Sequence, residues 1–303
     1  MRVLVVTGGN SDEREISLMS AANVFAALKK NGHTVTEFDF RSGLRELKKI
    51  LSKIDVVFPV LHGVEGEGGG LQLFLEKEKI KFVGSGSAAC KKTWNKLRFK
   101  EFCASHGIVT TNWRILTRGR TKDLKRAIPF VIKPTESGSS VDVWILKTQQ
   151  DLSHIDFNVL FSKYKEVMIE DYINGVEITV GILDGKTLPV IEIRPPKGEW
   201  FSYENKYNGR TQEIPFAPSL SQKQQKKAQR IALRLHKELK CKSFSRTDFI
   251  LGVGGILYVL ELNTIPGLTK ESLLPKAAKA AGIPFEEMVE ELINMTFKNS
   301  GSG

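Results

Sequence analysis

Residues 243–263, SFSRTDFILGVGGILYVLELN, constrain this chain more than any other stretch. Two runs of alternating apolar residues flank Gly252-Val253-Gly254-Gly255, a turn signal that folds them into an antiparallel hairpin. Folding symmetrically about 253/254 places Arg246 opposite Glu261 and Asp248 diagonal to it. Diagonal neighbours lie about 7–8 Å apart, too far for direct contact but suited to carboxylates that share metal ions. Residues two apart share a strand face, so Glu261 and Asn263 project together, although acidic residues and Asn are depleted in strands. Either they mark a solvent-facing sheet end or they face a cation. Asp248, Glu261 and Asn263 offer only oxygen ligands. Mg²⁺ prefers these, and it usually binds through a few carboxylates plus substrate phosphates.

A phosphate cradle is present upstream. Lys133 ends the apolar strand IPFVIKP, and Glu136-Ser137-Gly138-Ser139-Ser140 links it to the next strand. A Gly/Ser loop of this kind can turn successive backbone N–H groups toward phosphate oxygens, or be an ordinary hairpin turn. It is not a Walker loop, because G-x-x-x-x-G-K-[ST] is absent. Lys96 and Lys133 add point charges. In EDYINGVE, Glu170–Ile173 is either a chain segment for adenine, with Glu177 an acceptor for ribose hydroxyls, or merely a strand and a turn.

The chain divides into three blocks. Residues 1–95 alternate strands (RVLVVT, TVTEFDF, IDVVFPVLHG, KFVGS) with helices, which implies a parallel sheet covered on both faces. Ser11 is positioned to cap the first helix, and Ser17 reads as helix surface. Residues 96–180 hold the helix KLRFKEFCASHGI and strands on either side of the phosphate loop. Residues 181–303 are strand-rich, with helices at 221–239 and 284–297 and a disordered-looking NSGSG tail. The polar, turn-rich SYENKYNGRTQE, 202–213, reads as a mobile lid.

At 303 residues, 41% hydrophobic and 26% charged, the composition fits a soluble α/β protein of two or three domains. No apolar run approaches the ~18 residues of a membrane helix, and MRVLVVTGGN turns polar too soon for a secretory signal. Three cysteines without metal-type spacing imply reduced thiols and a cytoplasmic setting. The net charge of +11 concentrates on the outer face of the 221–239 helix, with no interleaved aromatics. Nucleic-acid and membrane partners are therefore not expected.

GGNSDEREISLMS, LHGVEGEGGGLQ, FVGSG, the spaced Lys96, VIKPTESGSSV, ENKY, SRTD and LELNTIPGLTKESLLP occur in an order that resembles the bacterial D-alanine–D-alanine ligases of the ATP-grasp superfamily. The resemblance implies a three-domain ATP-grasp fold, an N-terminal parallel-sheet domain followed by two α+β domains that clamp ATP. It places Lys96, Lys133, the Ser139–Ser140 loop and Lys206 against the nucleotide phosphates, and Glu170, Ile173 and Glu177 at the adenosine. Asp248, Glu261 and Asn263 would bind two Mg²⁺ ions, with Mn²⁺ as a substitute. Glu13 would take the ammonium of a first D-alanine, with His62 nearby, and Ser272 the carboxylate of a second. Arg246 and the Gly267 N–H would stabilise an oxyanion, while Ser139, Tyr207 and Glu13 would close the lid. Dipeptide synthesis for peptidoglycan and a homodimer are implied, the alternative products being D-alanyl-D-lactate or D-alanyl-D-serine. The sequence departs from the pattern at Asp142, expected to bring negative charge near the phosphates, at GEGGG, and at Lys270-Glu271, which bear on the second substrate.

Overall fold

The computed structural model describes residues 1–119, 121, 124 and 128–298. The tail 299–303, read above as disordered, lies outside the described residues.

Three strands, β1 (Arg2–Thr7), β2 (Thr34–Asp39) and β3 (Val56–Pro59), form a parallel sheet in the order β2-β1-β3. Alternate residues of β1 feed opposite cores. Val3 and Val5 pack with the helices Arg14–Lys30 and Phe285–Lys298, while Leu4 and Val6 pack with Leu47, Leu71 and Leu75. Both faces are covered, as parallel sheets require. The expected KFVGS strand contributes only an isolated bridge, Val57 to Phe82.

The second sheet joins β4 (Trp113–Leu116), β5 (Phe130–Pro134), β6 (Trp144–Leu146) and β7 (Val167–Asp171) in the order β4-β7-β5-β6. The third contains β8 (Gly175–Leu183), β9 (Lys186–Thr187), β10 (Ile191–Arg194), β11 (Gln212–Pro215), β12 (Phe244–Gly252) and β13 (Leu257–Asn263). Its order is β11-β10-β8-β12-β13, with β9 beside β8, and β8 runs across residue 180, where two of the sequence blocks meet. The helix Gln222–Glu238 buries Ala228, Ala232 and Leu235 against one face of this sheet. Its lysines and arginines are left toward solvent.

The β12–β13 hairpin forms, but not in the symmetric register. Asp248 pairs with Glu261, and Arg246 with Asn263. Two local features cause the change. Gly254 and Gly255 both take positive φ, 78° and 76°, which lengthens the turn so that Leu251 meets Leu257. A bulge then inserts Leu260 between the Phe249–Val259 and Asp248–Glu261 pairs. The extra residue re-aims the strand end, and the two carboxylates become direct neighbours rather than diagonal ones.

The start of the first helix also differs from expectation. The helix begins at Arg14 with Glu13 as its N-cap, and Ser11 instead accepts the Glu13 N–H at 3.3 Å. Ser17 is fully buried and donates to Val60 O at 2.7 Å while accepting the Gly8 N–H at 2.9 Å. It fastens the glycine turn after β1 to the helix rather than lying on its surface.

Candidate active site

Two cavities of about 550 and 540 Å³ meet at one wall. Lys96, Ser137, Gly138, Ser139, Phe201, Lys206 and Glu261 line both. The first also gathers Lys133, Ser140, Glu170, Ile173, Glu177 and Asp248. The second gathers Glu13, His62, Tyr207, Arg246, Asn263, Gly267 and Ser272. Every candidate residue named from the sequence therefore lines one cavity or both.

In the first cavity, the loop after β5 holds Ser139 and Ser140 at positive φ, 48° and 61°, a conformation uncommon outside glycine. Ser140 donates to Phe201 O at 3.1 Å, tying the loop to the chain that precedes the helix Tyr203–Tyr207. The Lys96 ammonium donates to Ser137 O and lies 3.6 Å from Glu261 Oε2. Lys133 Nζ lies 2.9 Å from Glu170 Oε1. Burial alone would raise the Glu170 pKa, but Lys133 and Lys100 outweigh it and hold the carboxyl below its ordinary range. Among the described residues no cation is in contact with Glu177, and desolvation pushes its pKa up to about 7.

The strand-end carboxylates sit in a strongly cationic setting. Arg246 grips Asp248 through two hydrogen bonds, Nε to Oδ1 at 2.9 Å and Nη2 to Oδ2 at 2.7 Å. Thr179 donates to Asp248 Oδ1 at 2.5 Å. Desolvation would raise the Glu261 pKa, but Lys96, Lys206, Lys133 and Arg246 hold it down at about 2. Among the described residues, no three His, Cys, Asp or Glu side chains form a ready-made metal cage. Two facing carboxylates with an amide two residues along instead form an incomplete set of oxygen donors. Mg²⁺ accepts such a set when phosphates and water complete its octahedron, so the residues fit that ion.

In the second cavity, Ser139 Oγ donates to Glu13 Oε1 and shares a hydrogen bond of 3.0 Å with the Tyr207 hydroxyl. Gly138 lies so close to Glu13 that any side chain there would collide with the carboxylate. The Tyr207 ring is 45% exposed, yet burial around its hydroxyl pushes the pKa up to about 12. His62 is 4% exposed and its Nε2 has no partner, while desolvation lowers its pKa and favours neutral imidazole. Ser272 caps the helix Leu273–Ala280, and its hydroxyl accepts the Thr269 N–H at 3.1 Å. A Cβ on Gly267 would come within 2.8 Å of Ser272 Oγ.

Relatives and solved structures agree on the family of the chain. Residues 102–294 match the family described as D-ala D-ala ligase C-terminus. The D-alanine–D-alanine ligase of Aquifex aeolicus is 39% identical over 97% of this chain and 100% of its own length. The chain belongs to the D-alanine–D-alanine ligase family. The Geobacter sulfurreducens D-alanine–D-alanine ligase is 37% identical over 100% of this chain and 96% of its own. A crystal structure of the Bacillus anthracis D-alanine–D-alanine ligase complexed with ATP superimposes with a TM-score of 0.85, at 32% identity, covering 99% of this chain and 98% of that one. The VanG D-Ala:D-Ser ligase of Enterococcus faecalis follows at 28% identity and TM-score 0.82, covering 98% and 99%. The chain thus has the α/β ATP-grasp fold of its family, a parallel sheet followed by two antiparallel ones.

Among the features in which this ligase-family chain departs from the pattern, Asp142 does not reach the phosphate side. Its carboxylate turns to Lys163 Nζ at 3.2 Å and the Tyr164 hydroxyl at 2.8 Å, and it lines neither cavity. Glu271 sits at the mouth of the second cavity against Lys276. Two residues not singled out from sequence matter here. Glu67, within GEGGG, is buried in the second cavity, and desolvation plus Glu13 push its pKa well above the usual range. Lys100 is fully buried behind Glu170. Its signal was its spacing: four residues after Lys96, it lies on the same helix face.

Proposed function

We propose that this protein ligates two D-alanines to D-alanyl-D-alanine, consuming ATP and releasing ADP and phosphate through a D-alanyl phosphate. The single observation that carries the reading is the common wall of the two cavities. A phosphate loop, two lysines and Glu261 stand between a nucleotide-sized space and a space lined by Glu13, Arg246 and Ser272. Phosphoryl transfer from one to the other needs only that wall.

On this reading Glu13 holds the ammonium of the first D-alanine and aims its carboxylate at the γ-phosphorus. That oxygen forms the new P–O bond as the bond to ADP breaks. Lys96, Lys133 and Lys206 hold the phosphates, with Ser140 fixing the loop. Asp248, Glu261 and Asn263 would hold Mg²⁺, which when bound neutralises phosphate charge and orients the transferred group. The second D-alanine, its carboxylate at Ser272, attacks the acyl carbon through its free amine. The C–N bond forms, the tetrahedral oxyanion collapses, phosphate leaves, and the nitrogen gives up one of its two protons to become the amide N–H. Arg246 and the Gly267 N–H stabilise the oxyanion, each such donor contributing about 3–4 kcal/mol. Tyr207, through Ser139 and Glu13, holds the lid closed against water.

The dipeptide suits peptidoglycan synthesis, in the cytoplasm where ATP is available. No helix among the described residues is long and apolar enough to cross a membrane. Exposed Val64 and Leu73, on neighbouring helices of the N-terminal part, support a homodimer. Mass spectrometry of the product formed from ATP, Mg²⁺ and D-alanine, with phosphate release measured alongside, tests the activity. Failure to form D-alanyl-D-alanine would sink it. Ester formation with D-lactate in preference to the dipeptide would favour the alternative acceptor.

A further inference from the structure

The outer part of the second cavity carries a charged cluster that the ligation chemistry leaves unused. Lys276, one turn into the helix Leu273–Ala280, is bracketed by two carboxylates. Its Nζ lies 2.9 Å from Glu213 Oε2 and 3.1 Å from Glu271 Oε2. All three residues line the cavity with Ser272. The Lys276 N–H donates to Ser272 O at 3.0 Å, so the ammonium and Ser272 belong to the same helical turn. Glu213 belongs to β11, the edge strand paired to β10 through Ile193, and β11 emerges directly from the segment that carries Tyr207. The two partners are unequal. The Glu213 side chain is 11% exposed and that of Glu271 is 85% exposed, so the first ion pair is sheltered and the second is screened by water.

We propose that Lys276 is a positioning residue that latches the lid-bearing strand β11 to the helix whose N-terminus receives the acceptor. The assignment of an acceptor site rests on the ligase reading above. Two carboxylates and one ammonium leave the cluster with one net negative charge. Removing the ammonium would leave Glu213 and Glu271 facing the cavity unneutralised. They would repel an incoming acceptor carboxylate and free β11 to drift from the helix. The donor D-alanine, bound at the opposite end beside Glu13, would feel little of this.

The test uses Lys276→Met, Lys276→Arg, Glu213→Gln and Glu271→Gln in the full chain. Lys276→Met is expected to raise the KM of the acceptor D-alanine about tenfold, equivalent to about 1.4 kcal/mol, with donor KM and kcat within about twofold. In the ligand-free protein, trypsin should cut faster after Lys206 and Arg210. Lys276→Arg should restore both readouts, because the longer cation still bridges the carboxylates. Glu213→Gln should speed cleavage as Lys276→Met does but without the tenfold rise in acceptor KM, because it removes an anion from the cavity instead of exposing one. Glu271→Gln should leave both readouts near wild type. Unchanged trypsin cleavage in Lys276→Met, or donor and acceptor KM rising together, would overturn the latch. So would failure of Lys276→Arg to rescue. If Lys276→Met does not fold, the trypsin readout on Glu213→Gln decides, unchanged cleavage overturning the latch. The trypsin readout requires no substrate, so a wild type that makes no dipeptide would refute the ligase reading and leave the latch to be judged on cleavage alone.

Discussion

Lys100→Met separates a buried ion kept for function from one kept for stability. The Lys100 ammonium has no exposed surface and lies 2.7 Å from both Thr110 Oγ1 and Thr111 Oγ1, and 3.2 Å from Glu170 Oε1. Desolvation pulls its pKa down to about 8 despite the attraction of Glu170. A fall from 10.5 to about 8, at about 1.4 kcal/mol per pH unit, makes the charged form about 3 kcal/mol less favourable in the fold than in the unfolded chain at neutral pH. Methionine nearly conserves the volume and removes that penalty. It also removes two hydrogen bonds worth about 1 kcal/mol each. Neither threonine is stranded, since Thr110 still donates to Val259 O at 2.7 Å and Thr111 to Glu170 Oε2 at 3.1 Å. The net expectation is a gain of about 1 kcal/mol, or roughly 2–4 °C in Tm. Between pH 8 and 10.5 the unfolded wild type binds more protons than the folded one, so wild-type stability rises with pH through that window. The variant lacks this rise, and its advantage should fade. Function should move the other way. With Lys100 gone, Lys133 alone neutralises Glu170 and is less available to phosphates, so the KM for ATP should increase. Calorimetry at neutral and alkaline pH, with ATP kinetics, reads both. A Tm drop of several degrees at neutral pH, or an unchanged KM for ATP, would refute the reasoning.

Glu261→Gln should abolish phosphate release and lower Tm, because Lys96, Lys206, Lys133 and Arg246 lose the anion they hold ionised. The circular dichroism spectrum should stay near wild type, because the amide still fills the strand end. A near-normal rate at ordinary Mg²⁺ would remove Glu261 from the metal site. Tyr207→Phe deletes the 3.0 Å hydrogen bond to Ser139, worth about 0.5–1.5 kcal/mol. It should weaken but not abolish activity, and raise D-alanyl-D-lactate relative to dipeptide at acid pH with both acceptors present. An identical product ratio from wild type and variant would remove Tyr207 from acceptor choice. Asp142→Gly should leave the KM for ATP unchanged, since that carboxylate is held by Lys163 and Tyr164 outside the cavity. A marked fall in KM would mean its charge is felt at the phosphates after all.

What the sequence carried and what it did not can be traced to the range of the interactions. The β12–β13 hairpin was legible because alternation and a glycine turn are local. Its register was not, because one extra residue in the turn and the Leu260 bulge change the pairing without changing the pattern of apolar and polar residues. The consequence falls on the site itself. The symmetric register would set Arg246 against Glu261, whereas the observed one frees Glu261 to face Asp248 and leaves Arg246 to grip Asp248 along its own strand. Asp142 was misjudged for a related reason. Position in a phosphate loop suggested proximity to phosphate, but its partners Lys163 and Tyr164 come from the following helix and its end, and only tertiary packing aims the side chain at them. Lys276, and Lys100 apart from its spacing to Lys96, were hidden for a different reason. Each reads as ordinary helix surface in a lysine-rich chain. What marks them is a sheltered carboxylate, Glu170 or Glu213, that a distant strand brings against each. Composition counts such charges, but only the fold decides which of them face water and which face an acid.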